Sequence, residues 1–170
     1  MNNLYITGME GCGKTSVGKE LARMAGIAFA DVNEEVEREA GMSIAQILAK
    51  EGQEGLRKRA KEALQKVSQG DWQIVSCNAE DPLDADSLSL MQDTGAVAFL
   101  DTPLHLLEKR VDDARRPNAI TDKEALRGMF ETRRAAYLSS CGVQIVYDHP
   151  NPVDAAYDLL TVFYPEYFWR

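Results

Sequence analysis

A chain of 170 residues is long enough for one domain with a sizeable core, and its 45% hydrophobic and 27% charged content is ordinary for a globular protein. Its net charge of −8 argues against nucleic acid as the main partner. No apolar run approaches the ~20 residues of a membrane span and no signal peptide precedes the first strand, so a cytoplasmic protein with no membrane partner is expected. Cys12, Cys77 and Cys141 fit no zinc spacing and are expected as free thiols.

Apolar runs alternate with amphipathic segments along the chain. Leu4–Thr7 predicts the first strand, and Val17, Leu21, Met24 and Ala25 recur behind it at helical spacing. Ile27–Val32 predicts a second strand. Asn33 then has the character of an N-cap, with Glu34 and Glu35 in the first turn, where negative charge suits the helix end. Gly41 should break that helix. Ser43 should start another, ended by Gly52. Leu56, Ala60, Ala63, Leu64 and Val67 line one face of a longer helix, stopped at Gly70.

Trp72–Ser76 reads as a buried strand, 83–92 as a helix and Ala96–Leu100 as the most apolar strand. Thr102-Pro103 starts a helix running to about Ala114. Residues 115–120 lack periodicity and read as a loop. Thr121-Asp122-Lys123-Glu124 has the form of a capping box and opens a helix to about Ser139. Val143–Tyr147 predicts the last strand and 148–152 a turn. Val153, Ala156, Leu159, Leu160 and Phe163 line a final helix, and the aromatic tail behind it is expected to pack on the domain. Five strands alternating with helices imply an α/β fold with a parallel sheet covered on both faces. Ligands should gather at the C-terminal edge of its strands.

Between the first strand and the first helix lies Gly8-Met9-Glu10-Gly11-Cys12-Gly13-Lys14-Thr15, a G-x-x-x-x-G-K-T phosphate-binding loop in its proper strand–loop–helix context. Its glycines allow the tight bend that turns successive N–H groups toward phosphate oxygens, and the following helix adds its positive end. Gly11, Cys12, Gly13, Lys14, Thr15 and Ser16 are therefore the candidate nucleotide contacts. Lys14 would reach the β- and γ-phosphates, and the Thr15 hydroxyl would sit on Mg²⁺.

Nearly the whole chain resembles the shikimate kinase family, small P-loop kinases of the nucleoside-monophosphate-kinase class. The resemblance rests on Gly8–Thr15, on Asp31, and on Glu51-Gly52-Gln53-Glu54-Gly55-Leu56-Arg57. It continues through Arg116-Pro117 and Arg133-x-x-x-Tyr137. It implies a single domain over residues 1–170: a P-loop NTPase three-layer sandwich whose five-stranded parallel sheet carries helices on both faces, with a lid at about 114–122. It also implies transfer of the γ-phosphate of ATP to a hydroxyl of shikimate with Mg²⁺. Asp31 then matches the carboxylate that holds a Mg²⁺-bound water, beside Thr15. Arg57 and Arg133 match the positions that hold the substrate carboxylate, as a guanidinium fork suits. Arg116 matches the lid arginine over the ATP phosphates, with Arg115 adjacent. Arg110 and Pro152 resemble the positions that sandwich adenine.

Two stretches depart from the family. Its Asp-x-Asp after strand two is Asp31-Val32-Asn33 here, and Asn33 can hydrogen-bond a substrate hydroxyl but cannot take its proton. Its glycine triplet after strand three is replaced by Asn78-Ala79-Glu80, which leaves Asn78 as a candidate substrate contact. Glu80 brings a carboxylate toward the place where Arg57 and Arg133 await one, so internal pairing or a different substrate is expected. The leading expectation is a monomeric kinase acting on a small hydroxylated acid, shikimate by resemblance. The alternatives are a nucleotide-binding relative with altered substrate or lost activity, and a kinase for a sugar acid or nucleotide.

Overall fold

The computed structural model describes residues 2–111, 122–148 and 151–168. The expected lid therefore lies outside the described residues apart from Asp122, and Arg115, Arg116 and Pro117 lie outside them too.

The sheet has five strands: β1 (Asn3–Thr7), β2 (Ala28–Asp31), β3 (Gln73–Ser76), β4 (Gly95–Asp101) and β5 (Val143–Val146). All four pairings are parallel, and the order across the sheet is β2-β3-β1-β4-β5. β1 is central and buried throughout, which is why it reads as a short continuous apolar run. Its side chains alternate between faces. Leu4 and Ile6 join one core, packed with α1 (Lys14–Ala25), α5 (Leu104–Val111), α6 (Lys123–Ser140) and α7 (Pro152–Phe163). Tyr5 joins the other core, packed with α2 (Val32–Ala40), α3 (Ile44–Val67) and α4 (Ala85–Thr94). Helices thus cover both faces, giving the three layers expected. The Tyr5 hydroxyl is satisfied inside its core by Ser68 Oγ at 2.9 Å and Thr94 Oγ1 at 2.7 Å.

Several boundaries differ from expectation for local reasons. Asp31, not Asn33, caps α2: its Oδ1 accepts from the Asn33 and Glu34 amides at 2.9 and 3.1 Å. Val32 is thereby the first helical residue, not the last of the strand. α3 is two helical pieces across a kink: as expected, Gly52 ends the first, at the non-helical φ 71°, ψ −173°, and the second stops at Val67, before Gly70. Ser43 starts α3 as expected, and it does so through a capping box with Gln46 as its reciprocal partner. Trp72 is not in a strand: it lies at φ 56° and is half exposed. The stretch expected as one helix over 83–92 is a 3₁₀ turn, Asp81–Leu83, followed by α4. The cap of α6 is Asp122, which accepts from the Glu124 amide at 2.9 Å, and Thr121 lies outside the described residues. At the C-terminus Tyr164 is buried, as expected of a packed tail. Among the described residues, no helix is long and apolar enough to cross a membrane.

Candidate active site

The phosphate-binding loop leaves β1 and enters α1 at the C-terminal edge of the sheet. Gly8 is required by packing, because a Cβ there would fall 2.8 Å from the Leu100 carbonyl oxygen of β4. Gly13 stands at φ 106° as the N-cap of α1, with no side chain capping the helix, so the first-turn amides face outward. Three side chains brace the loop. The Lys14 ammonium donates to the Gly8 and Met9 carbonyls at 2.8 and 2.9 Å, Thr102 Oγ1 donates to the Cys12 carbonyl at 3.1 Å, and Arg110 Nη1 donates to the Gly11 carbonyl at 2.7 Å. Arg110 also lies 5.5 Å over the Tyr147 ring, whose edge meets Gly13. Arg110 is therefore beside the loop, while Pro152 supplies the first turn of α7, where its missing N–H costs nothing. Cys12 is buried as a small packed residue.

Asp31 is placed by its own cap. With Oδ1 occupied by two amides, Oδ2 points back across the loop and accepts from Thr15 Oγ1 at 2.6 Å, and Ser76 Oγ at the end of β3 lies 3.4 Å from that hydroxyl. A carboxylate and two hydroxyls form a hard-oxygen set of the kind that suits Mg²⁺, which needs few protein ligands because it keeps several waters. These groups line a cavity of ≈ 640 Å³ together with Lys14, Ser16, Asn33 and Asn78.

A second cavity, of ≈ 870 Å³, adjoins it. Asn78 and Glu80 line both, and Arg57 and Arg133 line the second. The segment 78–80 that separates the cavities is held tightly. Asn78 Nδ2 donates to Asn33 Oδ1 at 2.7 Å, Asn78 Oδ1 accepts from the Glu80 amide at 2.9 Å, and the Tyr137 hydroxyl donates to the Ala79 carbonyl at 2.8 Å. Asp81 Oδ2 accepts from the Asn78 amide at 2.8 Å. Burial pushes the Asp81 carboxyl up to about 8, against the pull of that hydrogen bond.

The expected internal pairing of Glu80 involves both arginines. Glu80 Oε2 accepts from Arg57 Nε, and Glu80 Oε1 accepts from Arg133 Nη2 at 2.9 Å. The Glu80 side chain is only 12% exposed and does not face solvent. Burial would raise its pKa, but the Arg57 hydrogen bond and charge, helped by Gln53 and Arg133, hold it below the usual carboxylate range. Arg133 is also enclosed, at 15% exposure, while Arg57 is 55% exposed. Arg133 Nη1 in turn donates to Glu10 of the phosphate loop at 2.9 and 3.0 Å.

Glu10 and Ser76 were missed in the sequence. Glu10 occupies a variable position of the loop motif, and nothing local ties it to an arginine 123 residues away. Ser76 is one polar residue closing an apolar strand, which gave no signal. Cys77 is buried under Met91 with its thiol pushed well above the ordinary range by desolvation, which makes it packing, not a nucleophile.

A family model described as shikimate kinase matches residues 10–162. Shikimate kinase 2 of Sodalis glossinidius is 33% identical over 96% of both chains, and a shikimate kinase of Symbiobacterium thermophilum is 31% identical over 93% of this chain and 94% of its own. Among solved structures, a shikimate kinase from Acinetobacter baumannii in complex with shikimate superposes with a TM-score of 0.89 at 27% identity, covering 98% of this chain and 94% of that one. The Aquifex aeolicus shikimate kinase superposes at 0.81 with 28% identity and 98% coverage of both chains. The loop, the parallel sheet and this agreement along the full length place the chain in the shikimate kinase family.

Proposed function

We propose that this protein transfers the γ-phosphate of ATP to a hydroxyl of shikimate, and that Thr15 and Asp31 would hold the Mg²⁺ that accompanies the nucleotide. The observation that carries the reading is the convergence of Lys14, Thr15 and Asp31 on one cavity whose far wall leads to Arg57 and Arg133. In this reading Lys14 exchanges its loop carbonyls for phosphate oxygens, and the amides of 11–16 hold the phosphates. Held by Thr15 and Asp31, Mg²⁺ would neutralise phosphate charge. Arg116 closes over the phosphates from the lid at about 114–122, and Arg110 and Pro152 flank the adenine. Asn33 and Asn78 hydrogen-bond acceptor hydroxyls, and Arg57 and Arg133 hold its carboxylate. The loose transition state of phosphoryl transfer leaves little covalent work for the protein, so positioning carries most of the rate and Asn33 need not take the proton. The chain acts as a single-domain cytoplasmic monomer.

The test is ADP formation from ATP·Mg²⁺ with and without shikimate. The expected result is shikimate-dependent ADP release that Lys14→Ala abolishes. Nucleotide binding without shikimate-dependent turnover would overturn it. That outcome would favour the second reading, a nucleotide-binding relative with a changed acceptor, for which the hydrogen bond that Asn78 Nδ2 donates to Asn33 Oδ1 is the favouring observation.

A further inference from the structure

Five charged groups meet where the two cavities join. Arg57 faces Glu80 and, at 3.7 Å, Glu54, while Arg133 is held between Glu10 and Glu80. Two guanidinium groups thus serve three carboxylates, and no positive charge among these groups is in surplus. Glu80 bridges both arginines with one carboxylate, as a bound organic acid would: Oε2 accepts from Arg57 Nε, and Oε1 accepts from Arg133 Nη2 at 2.9 Å and from Arg57 Nη2 at 3.5 Å. The segment behind it is fixed by Asn78 and Tyr137, so Glu80 is held at the forks by its backbone as well as by charge.

The geometry points to Glu80 as a specificity-determining residue that occupies the acceptor-carboxylate seat and weakens binding of any acidic acceptor. This inference rests on the acceptor side of the proposed function and deepens it. An acid entering this site must displace Glu80 from Arg57 and Arg133. It must also tolerate a second carboxylate beside it in an enclosed setting, where repulsion is poorly screened. Protonation does not relieve the conflict near neutral pH, since the arginines keep Glu80 ionised. An acceptor of the same shape with a neutral group in place of the carboxylate must still displace Glu80 but meets no such repulsion.

The experiment is calorimetric binding of shikimate and of its carboxamide to the intact protein and to Glu80→Gln, with ADP·Mg²⁺ present. Glu80→Gln keeps the shape and removes the charge, and Arg133 retains Glu10, so the network is not orphaned. Melting temperature and ADP binding check that the variant is folded. Shikimate should bind the variant on the order of ten- to a hundredfold more tightly, from charge-assisted hydrogen bonds no longer contested, with the carboxamide changed much less. Glu80→Asp, which withdraws the carboxylate by one methylene, should fall between. Unchanged or weaker shikimate binding by Glu80→Gln, equal gains for the carboxamide, or failure of both proteins to bind shikimate would each overturn the inference. If the variant gains shikimate affinity while neither protein phosphorylates it, the proposed function fails and the role of Glu80 stands.

Discussion

Asp31 holds two jobs on two oxygens, and two substitutions separate them. Asp31→Ala removes both: the Oδ1 cap on the Asn33 and Glu34 amides and the Oδ2 bond from Thr15. Losing an N-cap costs ~0.5–2 kcal/mol. The Thr15 bond to a charged acceptor adds about 1.5–3 kcal/mol where it is buried, toward the lower figure here because Thr15 is only partly enclosed. A total of roughly 2–4 kcal/mol corresponds to a fall in Tm of about 4–16 °C for a chain of this size. Asp31→Asn keeps an oxygen for the two amides and turns its amide nitrogen toward Thr15 Oγ1, so the cost should be below about 1 kcal/mol, some 2–4 °C. The negative charge facing the Thr15 hydroxyl is lost in both. Partners in the outer shell of a metal typically carry ~10–100-fold in affinity or activity. Asp31→Asn should therefore melt close to the unsubstituted protein yet need ten- to a hundredfold more Mg²⁺ for half-maximal ADP formation. Scanning calorimetry and a Mg²⁺ titration of the kinase assay measure the two effects. A wild-type Mg²⁺ requirement in Asp31→Asn would refute the metal role, and a Tm as low as that of Asp31→Ala would refute the division between the two oxygens.

Two further predictions follow from neighbouring groups. Asn33→Asp should raise kcat at least about tenfold, because a carboxylate there can accept the acceptor proton and still receive the Asn78 amide that Asn33 Oδ1 receives now; a kcat unchanged at pH 8 would show that proton removal does not limit the step. Asp81 should make stability fall with rising pH. Its folded pKa, about 8, lies above its ordinary 3.8, so the native state holds the proton more tightly. The stability it contributes is fully present below 3.8 and is lost as pH rises through 8, with a slope of at most about 1.4 kcal/mol per pH unit. Urea unfolding at pH 5, 6.5 and 8 should show that slope and its flattening in Asp81→Asn, and identical slopes would refute it.

Much of this protein was legible in the sequence because the relevant interactions are local. The phosphate loop is eight consecutive residues whose backbone needs are written as glycines, and Gly8 and Gly13 stand where only glycine fits without strain. Central strands buried on both faces appear as apolar runs, and Ser43 marks the start of its helix. Local competition already blurs the picture. Asp31 and Asn33 are both good caps, and the backbone path leaving β2 chose Asp31, which freed Asn33 to meet Asn78 45 residues away. Gly52, by contrast, has the marks of a helix end and acts as one: at φ 71°, ψ −173° it divides α3 into two pieces across a kink.

The acceptor side belongs to tertiary structure. The sequence showed a carboxylate at Glu80 and arginines at 57 and 133, but the number of partners each would take depended on how α3, α6 and the end of β3 converge. The parallel sheet sets that convergence by bringing the C-terminal ends of its strands to one edge. Only there does Glu80 reach both arginines while Glu10 reaches across from the phosphate loop to Arg133. Sequence by itself determined that a nucleotide loop opens this chain and which fold carries it, since both follow from short-range backbone and hydrophobic patterns. The structure decided that the arginine forks are already engaged by an internal carboxylate, because charge pairing depends on distance in space and carries no signature along the chain.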